Sequence, residues 1–167
     1  MAVVAVKSAF ITNRDSTPVV LTSKTLSAGG PRLRAAGLVA VASGDSATST
    51  YRFCQVPANA LVSSVLLSAP DIGTTTTMDI GLYRTTADGG AVVDADFFTA
   101  ACNLNSGATT KVERLNGNII TIANSEKRLW EAAGLSADPG YFYDIVGTLV
   151  GAADAAGSVL CEVIYDV

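Results

Sequence analysis

The 167 residues suit one domain, or one domain with an arm, and suffice to bury a core without metals or disulfides. Charged residues make up 16% and hydrophobic residues 49%, against a usual charged share of about 25%, so the surface is small-residue and weakly charged, of the kind that neighbouring subunits cover. The absence of histidine removes the commonest general base and most zinc and iron sites, no apolar run approaches the roughly 20 residues of a membrane helix, MAVVAVKSAF lacks the basic start and long apolar stretch of a signal peptide, and a net charge of −4 without a basic aromatic face argues against nucleic-acid binding.

Residues 1–35 read as an extended arm. ITNRDSTPVVLT places turn residues (Asn13, Asp15, Ser16, Pro18) between short apolar runs, and Gly29, Gly30 and Pro31 break the chain again. Lys7, Arg14, Lys24, Arg32 and Arg34 face Asp15 alone, a balance of +4, which leaves −8 on residues 36–167. A basic arm on an acidic body predicts that the arm lies on an acidic neighbour. The candidate partner-binding residues are Lys7, Phe10, Arg14, Asp15, Arg32 and Arg34.

Residues 36–167 read as a β body. Strands are expected at Gly37–Ala42, Thr50–Val56, Leu61–Leu67, Thr76–Thr85, Tyr141–Val150 and Ser158–Val167, where β-branched and aromatic residues dominate. Thr50–Val56 alternates Tyr51, Phe53 and Gln55 against Arg52, Cys54 and Val56, and the next alternation puts Met78, Ile80 and Leu82 opposite Asp79, Gly81 and Tyr83. Short strands punctuated by Gly, Asp, Ser and Pro turns predict an all-β antiparallel sandwich, of jelly-roll type. One helix is expected over SEKRLWEAAG, capped by Asn124 or Ser125, stopped at Gly134, and seated on the sheet by Leu129, Trp130 and Ala133.

Carboxylates raise the question of chemistry. Asp88-Gly89-Gly90 is a turn, and Asp94 or Asp96 is expected to cap a helical turn through Phe97–Ala100. A structural calcium ion near Asp94 and Asp96 is the competing reading, although the spacing of a calcium loop is not kept. Asp79, Asp144 and Glu162 fall within strands, where two of them would have to meet to make a hydrolase pair. Cys54, Cys102 and Cys161 are odd in number and far apart, and read as buried thiols of a protein made in a reducing compartment. No catalytic motif, metal site or cofactor site is expected.

ITNRDSTPVVLT, MDIGLYRTTADGGAVVDADFF, EKRLWEAAGLSADP and YDIVGTLVGAADAAGSVLCEVIYDV together cover most of the chain. In these phrases it resembles small virion proteins of tailed bacteriophages, the capsid decoration or cement proteins. That resemblance implies a jelly-roll body, made in the bacterial cytoplasm and placed in several copies, as dimers or trimers, on the outer capsid surface. There it would clamp neighbouring major capsid protein subunits, with no catalytic residue, membrane or nucleic-acid contact. The alternatives are a tail or head-fibre component, a glycan-binding sandwich using loop acids with Tyr83, Tyr141 and Tyr143, and a two-carboxylate hydrolase.

Overall fold

A computed structural model describes Lys7, residues 9–20, 31–105, 107–115, 121 and 123–167, without the side chains of Ala9, Phe10 and Arg14. Among these residues a short helix α1 (Ala9–Arg14) is followed by eight strands: β1 (Leu33–Val41), β2 (Thr50–Pro57), β3 (Leu61–Ala69), β4 (Thr77–Arg84), β5 (Val92–Asn103), β6 (Thr109–Glu113), β7 (Phe142–Leu149) and β8 (Gly157–Asp166). A four-residue helix α2 (Leu129–Ala132) precedes β7.

The strands form two antiparallel four-stranded sheets, ordered β1-β8-β3-β6 and β2-β7-β4-β5. Successive strands mostly alternate between the sheets, and the first and last strands pair with each other. That order is an eight-stranded jelly roll, which supports the sandwich expected from the sequence. The inward faces carry Val65 and Leu67 of β3, Met78, Ile80 and Leu82 of β4, Ile145 of β7 and Val163 of β8, all fully buried. Each such leucine or isoleucine contributes about 1.5–3 kcal/mol by leaving water.

Strands β2, β5 and β6 and both helices depart from the sequence reading. Val92–Asn103, which contains the helical turn expected at Phe97–Ala100, is strand β5. Its ladder with β4 shifts register three times, so the two-residue period fails and Phe97 and Phe98 are buried side by side, edge to face at 5.0 Å. The 3₁₀ turn at Thr86–Asp88 does end in left-handed Gly89, as Asp-Gly-Gly predicts. β2 also bulges, between Arg52 and Cys54, and the bulge turns both Phe53 and Val56 toward the core.

The helix expected from residue 125 is confined to Leu129–Ala132. Its cap is Arg128, whose backbone N–H donates to the Glu131 carboxylate at 2.9 Å, and Gly134 ends it at φ +81°. The short helix is held by tertiary bonds from the Leu129 and Trp130 N–H groups to the Ala60 and Ala58 carbonyls. Leu129 is buried and Trp130 packs partly against the core.

The arm is not extended throughout, because Ala9–Arg14 is helical. The turn residues close that helix: the Asp15 N–H donates to the Ile11 carbonyl, and the Ser16 hydroxyl to the Asn13 carbonyl at 2.6 Å. β1 begins at Leu33, so Arg34 is already part of a sheet.

The two ends of the sandwich differ. One gathers the β1–β2, β3–β4, β5–β6 and β7–β8 loops, which bond directly to one another. The Gly44 and Ala153 N–H groups donate to the Ala153 and Asp45 carbonyls, and Asp154 accepts from the Thr74 backbone and hydroxyl. Asp45 also accepts the Tyr51 hydroxyl at 2.6 Å, and burial with this bond pushes the Tyr51 phenol up to about 12. The opposite end holds the β2–β3 turn, the start of β1 and β7, and the end of β8. Chain from the arm enters the body there.

Candidate functional site

The sequence-predicted arm residues fall into separate groups. Lys7 and Asp15 pair with each other at 2.8 Å. Phe10 and Arg14 belong to α1, with their side chains outside the described residues. Arg32 is exposed just before β1. Arg34, on β1, bonds through Nε to Glu162 of β8 at 2.8 Å.

Glu162 sits on the outer face of the β1-β8-β3-β6 sheet, yet is 2% exposed. Its cover is two long side chains, Arg34 and Lys111, themselves well exposed. The Arg34 hydrogen bond holds the Glu162 carboxyl below its ordinary range, against the cost of burial, and Lys111 at 3.5 Å assists. This acid is a salt-bridged sheet residue, with Arg34 and Lys111 of its own chain as partners.

Asp144 is likewise taken. It meets Arg52 at 2.6 Å on the outer face of the second sheet. The same guanidinium donates to the Arg84 and Gly90 carbonyls and lies 5.7 Å from the Tyr83 ring centre. Asp79 accepts from the Ala101 N–H at 2.6 Å. Asp79 and Asp144 therefore share a sheet without pairing, and Glu162 is in the other sheet. The hydrolase pair considered from the sequence is not assembled from these three.

Asp94 and Asp96 lie two apart on β5, and the Asp96 N–H donates to the Asp94 carboxylate at 3.2 Å. Burial first, then the Asp96 side chain, raise the Asp94 carboxyl above its ordinary range. Asp94 borders a hollow of about 230 Å³ beside Phe97 and Ala133. No cluster of three metal-ligating side chains occurs among the described residues. Burial also raises the thiols, Cys102 to about 11, Cys54 to about 12 and Cys161 further, so none is a ready nucleophile.

A cleft of about 480 Å³ opens at the arm end. Four separate segments build it: Leu33 opening β1, the Pro57–Asn59 turn, the stretch from Asp138 into β7, and Tyr165 with Val167 closing β8. The Ala58 N–H donates to the Tyr141 carbonyl at 2.9 Å and fixes the turn against β7. Arg128 donates to the Asn59 carbonyl and braces the turn from α2. Asp138 accepts from the Gly140 N–H at 2.9 Å and shapes the rim.

Tyr141 is fixed from two sides. The Arg84 guanidinium lies 3.4 Å from its ring centre, and Tyr143 meets it edge to face at 5.1 Å. Burial and the Tyr141 hydrogen bond push the Tyr143 phenol well above its ordinary range. Of the three tyrosines weighed for glycan stacking, Tyr83 and Tyr143 are buried, and Tyr141 alone lines the cleft. The cleft was not foreseeable from the sequence, because its walls come from residues more than a hundred positions apart.

The walls are mainly apolar, with Leu33, Phe142 and Val167 exposed. Asp138 is an acid at the rim. Such a surface can hold an apolar segment, but it brings together no acid–base or nucleophile pair.

No protein-family model matches the chain, and no curated protein matches it. Among solved structures it is similar to a chain described as "Cyanophage Pam1 capsid asymmetric unit", with a TM-score of 0.52 and 19% identity. The match covers 90% of this chain and 95% of that one, so the two are of nearly equal length. At this identity the likeness is one of fold.

Proposed function

We propose that the protein is a structural component of a phage particle that sits on the outside of the capsid and cements neighbouring major capsid protein subunits. The observation that carries this reading is the end-to-end fold likeness to an equally small chain of a cyanophage capsid asymmetric unit. A jelly roll whose strand acids are spent on internal salt bridges and backbone bonds fits a structural role. The low charge content and the apolar cleft at the arm end fit a surface that partners cover.

The basic arm is the element that reaches across to a capsid subunit or a sister copy. An arm lowers affinity per unit area because it must be ordered, but it wraps a wide surface, and many copies on one lattice add avidity. Quantitative peptide mass spectrometry of purified particles tests the reading. A copy number comparable to the major capsid protein is expected. A handful of copies per particle would move the protein to the tail or a fibre, and absence from particles would remove the virion role.

A further inference from the structure

We propose that the arm-end cleft receives Pro18–Val20 from the N-terminal arm of a second copy of this chain. The inference deepens the arm's role in the reading above and rests on it for the clamping function, but its geometry comes from this chain alone.

Both surfaces are apolar and uncovered. Val19 and Val20 are 60% and 52% exposed, and Phe142 in the cleft is 46% exposed. The valines are presented by a pre-formed hook. The Val20 N–H is shared between the Asn13 carbonyl and the Ser16 hydroxyl, at 3.1 and 3.2 Å, and the Ser16 hydroxyl lies 2.6 Å from the Asn13 carbonyl. The hook satisfies this backbone donor within the arm, so seating the valines needs little new polar pairing and little ordering.

Charge points the same way. By sequence the arm carries +4 and the body −8, and the Lys7–Asp15 and Arg34–Glu162 pairs leave Arg14, Lys24 and Arg32 as the arm's share, +3 against −7 on the body. Asp138 stands on the cleft rim, the one acid among the lining residues. A basic, apolar segment complements such a rim. The volume of about 480 Å³ falls in the range of sites that seat a few side chains.

The occupant is a second copy because the hook and the cleft of one chain are both exposed. Val20 and Leu33 are thirteen residue steps apart, and at full extension those steps reach about 45 Å, roughly the width of a domain of this size. Passing each arm to the next copy is a head-to-tail contact, which closes into a ring at a symmetry axis.

Disulfide trapping on the full chain tests this. A Val19→Cys chain is mixed with a differently tagged Asp138→Cys chain and oxidised. The native thiols give little background, because burial raises all three. A cross-link between the two chains is expected, together with at least about tenfold weaker self-association of Val19→Asp/Val20→Asp and of Phe142→Asp by light scattering. The arm variant leaves the sheets untouched, so it reports even where Phe142→Asp fails to fold. A link formed only within one chain of the double-cysteine variant at high dilution would overturn the exchange. So would a monomeric wild-type chain, or self-association unchanged by Val19→Asp/Val20→Asp. Particle copy number measured on the same variants separates the two ideas. Normal copy number without the interchain link overturns the exchange alone, whereas an intact link with no protein in particles overturns the capsid role alone.

Discussion

Gly37 of β1 lies directly against the backbone of Phe53 of β2, so that a Cβ built on Gly37 would overlap the Phe53 carbonyl oxygen and stand 2.9 Å from its Cα. The two strands belong to different sheets. Here the edges of the sandwich approach until only a hydrogen side chain fits. Neither backbone can yield as a flexible side chain would, so Gly37→Ala must part the sheet edges. The expected loss is about 3 kcal/mol, or roughly 6–12 °C in Tm for a chain of this length. Calorimetry checks it, and a variant melting within about 2 °C of wild type would show that the edges part freely.

Arg52 and Asp144 form the best-connected ion pair of the second sheet, with Arg52 also holding the Arg84 and Gly90 carbonyls. Arg52→Met strands the Asp144 carboxylate and both carbonyls. Breaking a buried pair costs about 3–5 kcal/mol. The Arg52 side chain is a third exposed, and solvent lowers the expected cost to about 2 kcal/mol. Asp144→Leu added to Arg52→Met should recover part of it, because the unpaired charge is gone. Urea melts of the four members of this cycle give the coupling, and strict additivity would show that the pair contributes nothing of its own.

Most of the sandwich was legible because six strands carry long apolar or alternating runs. β5 was not, since its register shifts place Phe97 and Phe98 together in the core, which breaks the period that marks a strand. β6 has five residues, Thr-Thr-Lys-Val-Glu, at a sheet edge, and no buried side chain to advertise it. The helix at Leu129 was visible in its apolar face, but its true start depends on bonds to Ala58 and Ala60, about seventy residues away. Asp79, Asp144 and Glu162 were legible as strand residues, but their partners within the chain, the Ala101 N–H, Arg52 and Arg34, were not, because those lie on other strands. The cleft lies beyond sequence reasoning because only the jelly-roll closure brings Leu33 to Tyr165.

Glu162 gives stability a pH dependence of known sign. Its carboxyl is lower in the folded chain than its ordinary value of 4.5, chiefly through the Arg34 hydrogen bond. The ionised form therefore stabilises the fold above pH 4.5, and this stabilisation is lost as pH falls through the lowered folded value. Glu162→Gln should melt below wild type at pH 7, with the gap shrinking below pH 4.5. Tm measured from pH 7 to pH 3 checks this. Parallel curves would show that the carboxylate charge is not what Arg34 and Lys111 stabilise.

The polar contacts described within the arm are local, and this makes the arm's role testable apart from folding. The described polar contacts within residues 7–20 include Lys7 to Asp15, Asp15 to Ile11 and Val20 to Asn13, all local. The first ladder of the body pairs Leu33 with Tyr165 and runs nine residues along β8. Deleting residues 1–20 removes the hook and its valines but no strand. The truncated chain should keep its β circular dichroism and melt within about 2 °C of wild type, since no core side chain is lost. Its binding to purified particles that lack the protein should weaken at least about tenfold, or 1.4 kcal/mol. Binding at full strength by a folded truncated chain would place the capsid contact on the sandwich itself and take the clamping role away from the arm.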